Sequence, residues 1–383
     1  MSQKINDFVP RSCELLALGE PTHKEPGFAA IRNELVAQLV ESGFGSIALE
    51  TDRVAALAVD EFVRHGQGTL DEVMRTGFSH EFGELAGNRD LVAWLRSYNT
   101  GKPSAEQVGF YGFDAAMETM SAPSPRPYLE FARDYLELDL DITDLVGDDE
   151  QWSRTEAVMD AAASVGATVE AERLRVIADD LLTLLYTRAP ERIASTSRAE
   201  WRRAAIYLTA GLGLLRYHRQ AAQPGEDTVR WNSLAATRDA LMAQNILDIR
   251  AVEARRGPTL VYSHNLHLRR NSSIMRMGPM NLTWSGAGAI VGSLLGERYR
   301  VILGSLGRSD GLALGEPEPG TYENTLQNRI STWGLIPAAE LGHGHTRTDI
   351  TQEQGYFPLD AETVGAADTI LHLGVGRAPA AVR

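Results

Sequence analysis

Four short apolar runs, each ending on an ionisable residue, constrain this chain more than any other feature. Glu14–Leu18 runs into Gly19-Glu20-Pro21-Thr22-His23, Ser46–Leu49 ends at Glu50, Val108–Phe113 ends at Asp114, and Leu260–Ser263 ends at His264, with His267 three residues on. Runs this short, with room for helices between them, read as parallel strands buried on both faces. In such sheets ligands sit outside the carboxyl ends of the strands. The carboxylates and imidazoles are therefore expected to gather along one edge of the sheet. The expected fold is α/β: a mostly parallel sheet core flanked by helices, with a helical insertion capping the active-site edge.

The intervening sequence supplies the helices. Ala29–Glu41 carries Ile31, Leu35 and Leu39 at helical spacing, with Gly43 in a capping position just beyond. Val54–Val63 and Asn88–Tyr98 read the same way, which makes the first 114 residues a β-α-β-α-β unit. A proline-rich break at Ser121–Pro127 opens a different texture. From about 122 to 250 the pattern is helical, as in Leu174, Ile177, Leu181, Leu184 and Leu185, and shows no strand. Strand and helix alternation returns after 258, with strands at Tyr299–Ser305 and Thr369–Leu373, a helix start in Ser285–Gly296 and a glycine- and proline-rich loop over 307–320. The chain thus divides into a first part of the core (1–121), a helical cap (122–250) and a second part of the core (251–383).

Charge narrows the partners. The net charge of −14 disfavours nucleic acid and anionic membrane and suits a small-molecule substrate. No apolar stretch is long enough to span a bilayer, and a single cysteine with a polar amino terminus points to the cytoplasm. Nothing in the sequence speaks to oligomeric state.

Glu20 and His23 form an E-x-x-H in the first strand turn. A carboxylate beside an imidazole fixes its tautomer and raises its basicity, as a general base near neutral pH requires; either residue could instead cap the next helix. His264 and His267 form an H-x-x-H that, with Glu20, His23 and Glu50, offers possible metal ligands, though without the helical spacing of a zinc protease; the expectation is no metal and no cofactor. Cys13 sits at the opposite end of the first strand and reads as a buried small residue. There is no G-x-S-x-G elbow. Gly286-Ala287-Gly288 with Gly292 is one residue too long for a dinucleotide fingerprint. His65, His80 and His218 read as surface or core residues, His343-Gly344-His345 as a loop, and His372 as a strand-end residue that could approach the site. Arg238 and Asp239 read as a structural ion pair on a helix.

Taken together, Leu18–His23, Leu49-Glu50, Gly112-Phe113-Asp114 and Ser263–His267 resemble the erythromycin esterase family. The resemblance extends to Thr237–Asn245, which is similar to the family's R-D-x-x-M-x-x-N helix, and to Tyr322-Glu323, which resembles its late S-x-E segment. It implies an α/β core under a helical cap, and hydrolysis of a macrolide-type ester by a histidine acting as general base on water, without an acyl-enzyme. Carried onto this sequence, the base is His23 with Glu20 beside it. Glu50, His264 and Arg32 match other site positions, and His267 matches the second histidine of H-N-x-H. Asp114, Arg238 and Glu323 are then expected to bind substrate, and His264 or Arg32 to stabilise the oxyanion. Lys24-Glu25-Pro26 follows His23 where the family commonly has glycine, so the cleft entrance differs. Two rival readings use the same residues: a biosynthetic enzyme that performs cyclisation, acyl transfer or elimination without net hydrolysis, and a metal-dependent hydrolase or peptidase.

Overall fold

The computed structural model describes residues 4–376. Its first strand, β1 (Leu15–Glu20), is buried throughout, and Leu15, Leu16 and Leu18 are each at most 1% exposed. Buried leucines of this kind each contribute about 2 kcal/mol through area removed from water, which is why so short a run stays extended at the centre of the molecule. The other strands are β2 (Ser46–Asp52), β3 (Gly109–Asp114), β4 (Thr259–His264), β7 (Tyr299–Arg308), β8 (Trp333–Pro337) and β9 (Thr369–Val375). They form one seven-stranded sheet in the order β3-β2-β4-β1-β7-β9-β8, parallel except for β8, which runs antiparallel to β9. A separate hairpin pairs β5 (Ser272–Met277) with β6 (Met280–Ser285).

Helices Pro26–Glu41, Ala56–His65 and Ala86–Asn99 cover one face of the sheet through Ile31, Leu35, Val59, Leu91 and Leu95. The Glu25 carboxylate caps the first of them by accepting from Gly27 N at 3.0 Å, with Pro26 at the first helical position. The Lys24-Glu25-Pro26 departure is therefore a helix cap. The second helix stops at Gly66, whose φ of 71° is the left-handed conformation that favours glycine. On the opposite face lie the helices Asp227–Glu253 and Ala287–Leu295, through Met242, Ala243, Ile246, Ile249 and Val291.

The helices within 126–221 build a core of their own, with Leu129, Trp152, Leu174, Leu181, Leu208 and Leu215 fully or almost fully buried. Asp227–Glu253 belongs to both layers. Its first half packs on the cap through Leu234 and Leu241, and its second half lies on the sheet. The helical segment 122–250 read from the sequence thus takes in a helix whose second half belongs to the sheet. Two pieces differ from the sequence-based expectation. The β5–β6 hairpin arises where no strand is expected, and β8 forms from only five residues. Both run antiparallel, so one face suffices to bury them, and their apolar signal is correspondingly thin.

Candidate active site

Because β4 lies between β2 and β1, the carboxyl ends of three strands bring Glu20, Glu50 and His264 side by side. A local contact locks this arrangement. The Asn265 amide crosses the end of β1 to reach Gly304 on β7, donating to its carbonyl and accepting from its N–H, each at 2.9 Å. It passes over Gly19, where a Cβ would lie 2.3 Å from the Asn265 Oδ1. Gly19 and Asn265 therefore fit as a pair.

His23 projects from the turn after β1. Its Nδ1 meets Glu20 Oε1 at 2.8 Å, and its Nε2 stands 3.8 Å from Glu50 Oε2. The other Glu20 oxygen accepts from the Tyr262 hydroxyl, a buried group of β4. Glu50 is the hub of the cluster. Its Oε2 accepts from Ser263 Oγ at 2.5 Å and from His264 N at 3.0 Å, while its Oε1 faces His267 Nε2 at 3.4 Å and Arg238 Nη2 at 3.5 Å. Burial alone would push the Glu50 carboxyl up; His267, His23 and Arg238 together hold it well below the usual range.

The three histidines differ electrostatically. Burial opposes charge on His23, but Glu50 and Glu20 outweigh it and raise its pKa above the ordinary value. His264 is buried, lies close to the His23 ring (centroids 5.2 Å) and is pushed down to about 3. It is neutral. Its Nδ1 accepts from Leu266 N at 3.2 Å, so Nε2 carries the ring proton. His267 is also buried, yet Asp239 Oδ1 at 2.9 Å and Glu50 raise it to about 9. It is an imidazolium at neutral pH. Asp239 is itself fixed by Trp284 Nε1 and Ala287 N, both at 2.7 Å.

Asp114 is fully buried and pairs with Arg238, whose Nε donates to Oδ1 at 3.0 Å. Burial opposes ionisation of Asp114, but Arg238 and His80 bring it down to about 2. Arg238 and Asp239 thus do not pair with each other as expected. Adjacent on the helix, they diverge, one to Asp114 and the other to His267. Arg32 is 1% exposed and committed to Asn33 Oδ1, Asn88 Oδ1 (2.7 Å) and the Gly87 carbonyl, with its guanidinium 4.7 Å from the centre of the Tyr262 ring. It buttresses Tyr262, and through it Glu20. Glu323 does not join the cluster: it accepts from Tyr356 Oη and Leu359 N beneath β7 and β9. Of the remaining histidines, His372 binds Ser305 and Gln327 inside the sheet, and His218 bonds the Pro123 carbonyl in the cap.

His80 does reach the site. Its Nε2 lies 2.9 Å from Asp114 Oδ2 and its Nδ1 3.0 Å from Glu118. No apolar run precedes it, so no sequence pattern marks it. Its place is set by Ser79, which is bonded to Thr51 and Asp52 at the end of β2, and by left-handed backbone at His80 and Glu81 (φ 57° and 58°). Tyr262 and Ser263 were legible as polar residues inside a buried strand run.

Two cavities open onto the cluster and meet at His23, Lys24, Glu50 and Phe82. The larger, about 450 Å³, is mainly apolar, walled by Trp231, Trp284, Met275, Met277, Leu282 and Phe357. The smaller, about 310 Å³, is walled by Glu20, Glu25, Arg32, Glu84 and Tyr262 among others. Phe82 stacks obliquely on His23 (4.9 Å) and His80 (5.6 Å) between them. Among the described residues, no three His, Cys, Asp or Glu side chains converge in a way that could hold a metal ion.

Similarity to solved structures spans almost the whole chain. A crystal structure of a Bacillus cereus protein aligns at a TM-score of 0.68 with 18% identity, covering 97% of this chain and 90% of the other. A succinoglycan biosynthesis protein aligns at 0.68 with 18% identity, covering 98% and 92%. A mutant of the erythromycin esterase EreC, in its open conformation, aligns at 0.66 with 20% identity, covering 97% and 93%. At these identities the likeness establishes the α/β fold. Comparison with curated proteins gives no significant match. The family profile described as Erythromycin esterase matches residues 39–379, most of the length of the chain and every strand but β1, so this chain belongs to the erythromycin esterase family.

Proposed function

We propose that this protein hydrolyses an ester or lactone of a largely apolar small molecule, with His23 taking a proton from water. Family membership supports a hydrolase of this type. The observation that carries the mechanism is the gap between His23 Nε2 and Glu50 Oε2. At 3.8 Å it is too long for a direct hydrogen bond, and a water about 2.8 Å from each atom fits there. Glu20 holds Nδ1 protonated, leaving Nε2 to accept, while Glu50, kept ionised, takes the water's other hydrogen. Neutral His264, its ring 5.2 Å from that of His23, is the candidate partner of the oxyanion. Arg32, fully engaged behind Tyr262, serves Glu20 instead, while Asp114 and Arg238 brace the Glu50 side. The apolar cavity would hold the body of the substrate, a secondary-metabolite ester being a chemically suitable guest, and the helical block 122–250 would select it through Tyr217, Trp231 and Leu234. A cytoplasmic location fits the lone, buried Cys13.

The test is turnover of a panel of aryl esters and macrocyclic lactones in labelled water. Wild type should place one labelled oxygen in the acid product, and His23→Ala should lose about 10²–10⁴-fold in kcat/KM with its fold intact. Near-normal turnover by that variant would sink the assignment. Product without label would make the reaction an intramolecular transfer or cyclisation.

A further inference from the structure

A third cavity, of about 870 Å³, lies against the helix Asp227–Glu253 and shares no lining residue with the two cavities at the catalytic cluster. That helix turns Arg238 and Asp239 toward the cleft and Asp248 toward this third cavity, while Asn245 between them ties the helix to the Phe113 and Asp114 carbonyls at the end of β3. Four arginines surround it, Arg53, Arg198, Arg202 and Arg255, against one carboxylate, Asp248. Asp248 is half exposed and shared, contacting both Arg53 and, at 3.4 Å, Arg202. Arg198 and Arg255 make no ion pair among the described residues.

Arg53 is the least expected member. It is only 4% exposed, and its Nη1 is buried with no hydrogen-bond partner. Its Nη2 is held by Asp248 at the cavity wall, and its guanidinium lies 5.7 Å from the centre of the Tyr111 ring. The first turn of the helix Arg198–Ala221 also faces the cavity through Arg198 and Trp201, and the partial positive charge of that helix end adds to the field. This accumulation stands out in a protein of net charge −14. On the same wall Tyr186 and Trp201 meet edge to face, ring centroids 5.2 Å apart, with Tyr186 largely exposed.

We infer that this cavity is a binding site for an organic phosphate, a planar ring bearing at least two negative charges, with the phosphates held by the arginines and the ring set against Tyr186 and Trp201. Guanidinium groups bind phosphate oxygens in pairs, and aromatic faces accept a flat ring. The volume is within the range of small-ligand sites. The inference is independent of the proposed ester hydrolysis.

The experiment is calorimetric titration of the full chain with ADP and with inorganic pyrophosphate at low ionic strength. ADP should bind, and the double variant Arg198→Glu/Arg255→Glu should weaken it at least tenfold. Both positions are exposed and unpaired, so the variant should fold, as an unchanged melting temperature would show. Pyrophosphate should bind at least tenfold more weakly than ADP to the wild type. No binding of ADP, or equal binding by wild type and double variant, would overturn the site. Equal affinity for ADP and pyrophosphate would overturn the placement of a ring against Tyr186 and Trp201.

Discussion

His267 shows how one residue can be tuned by its neighbours. Asp239 and Glu50 lift its pKa to about 9 although burial pulls the other way. A histidine whose folded pKa lies above the unfolded value of about 6.5 contributes stability that is fully present below that value and lost as pH rises through the folded one. Relative to His267→Gln, the wild type should therefore lose stability between about pH 6.5 and 9. The full span is on the order of 3 kcal/mol, readable from urea unfolding at several pH values. A difference between the two proteins that stays flat across that window would show that His267 is not an imidazolium in the native state. The same residue bears on catalysis, because its charge helps keep Glu50 ionised beside the water that His23 would activate.

Among elements, the turn carrying His80 holds backbone strain. Two consecutive residues that are not glycine adopt positive φ just before the short 3-10 turn Phe82–Glu84. Each such residue costs roughly 1–2 kcal/mol, and left-handed non-glycine backbone tends to mark functional sites. Here it turns the His80 ring onto Asp114 and sets Phe82 against His23. Glu81 itself is exposed, so Glu81→Gly should relieve the backbone without removing a contact and stabilise the protein by about 0.5–1 kcal/mol. A lower melting temperature for that variant would show that the Glu81 side chain holds the turn. This element also marks where sequence reading stops. The strand ends at Glu20, Glu50, Asp114 and His264 were legible because doubly buried strands must be apolar until the chain leaves the sheet, and the first ionisable residue flags the exit. His80 leaves no such flag, since a bend far from any strand delivers it. The pairing of Arg238 with Asp114 was hidden for a related reason: adjacent helical residues point about 100° apart and seldom meet. Glu323 resembled a site residue by its neighbours in sequence, yet its helix lies under the sheet.

At the scale of the whole molecule, the cap and the sheet have separate cores joined by one long helix. Amides of β1 and β4, each paired on both sides, should exchange with solvent only on global unfolding, while those of 126–187 should exchange sooner through opening of the cap. Uniform protection measured by hydrogen exchange would contradict two separable cores. The position of β4 has a consequence for biosynthesis. β1 and β2 are neighbours in the chain, yet neither pairs with the other; the strand that joins them carries Ser263, 213 positions beyond Glu50. At about 5–20 residues per second, a ribosome leaves those two strand edges unpaired for roughly ten to forty seconds. Throughout that interval the nascent chain must hold open a slot one strand wide. A premature β1–β2 pairing would be the characteristic misfold of this chain, because it fills the slot that β4 must enter.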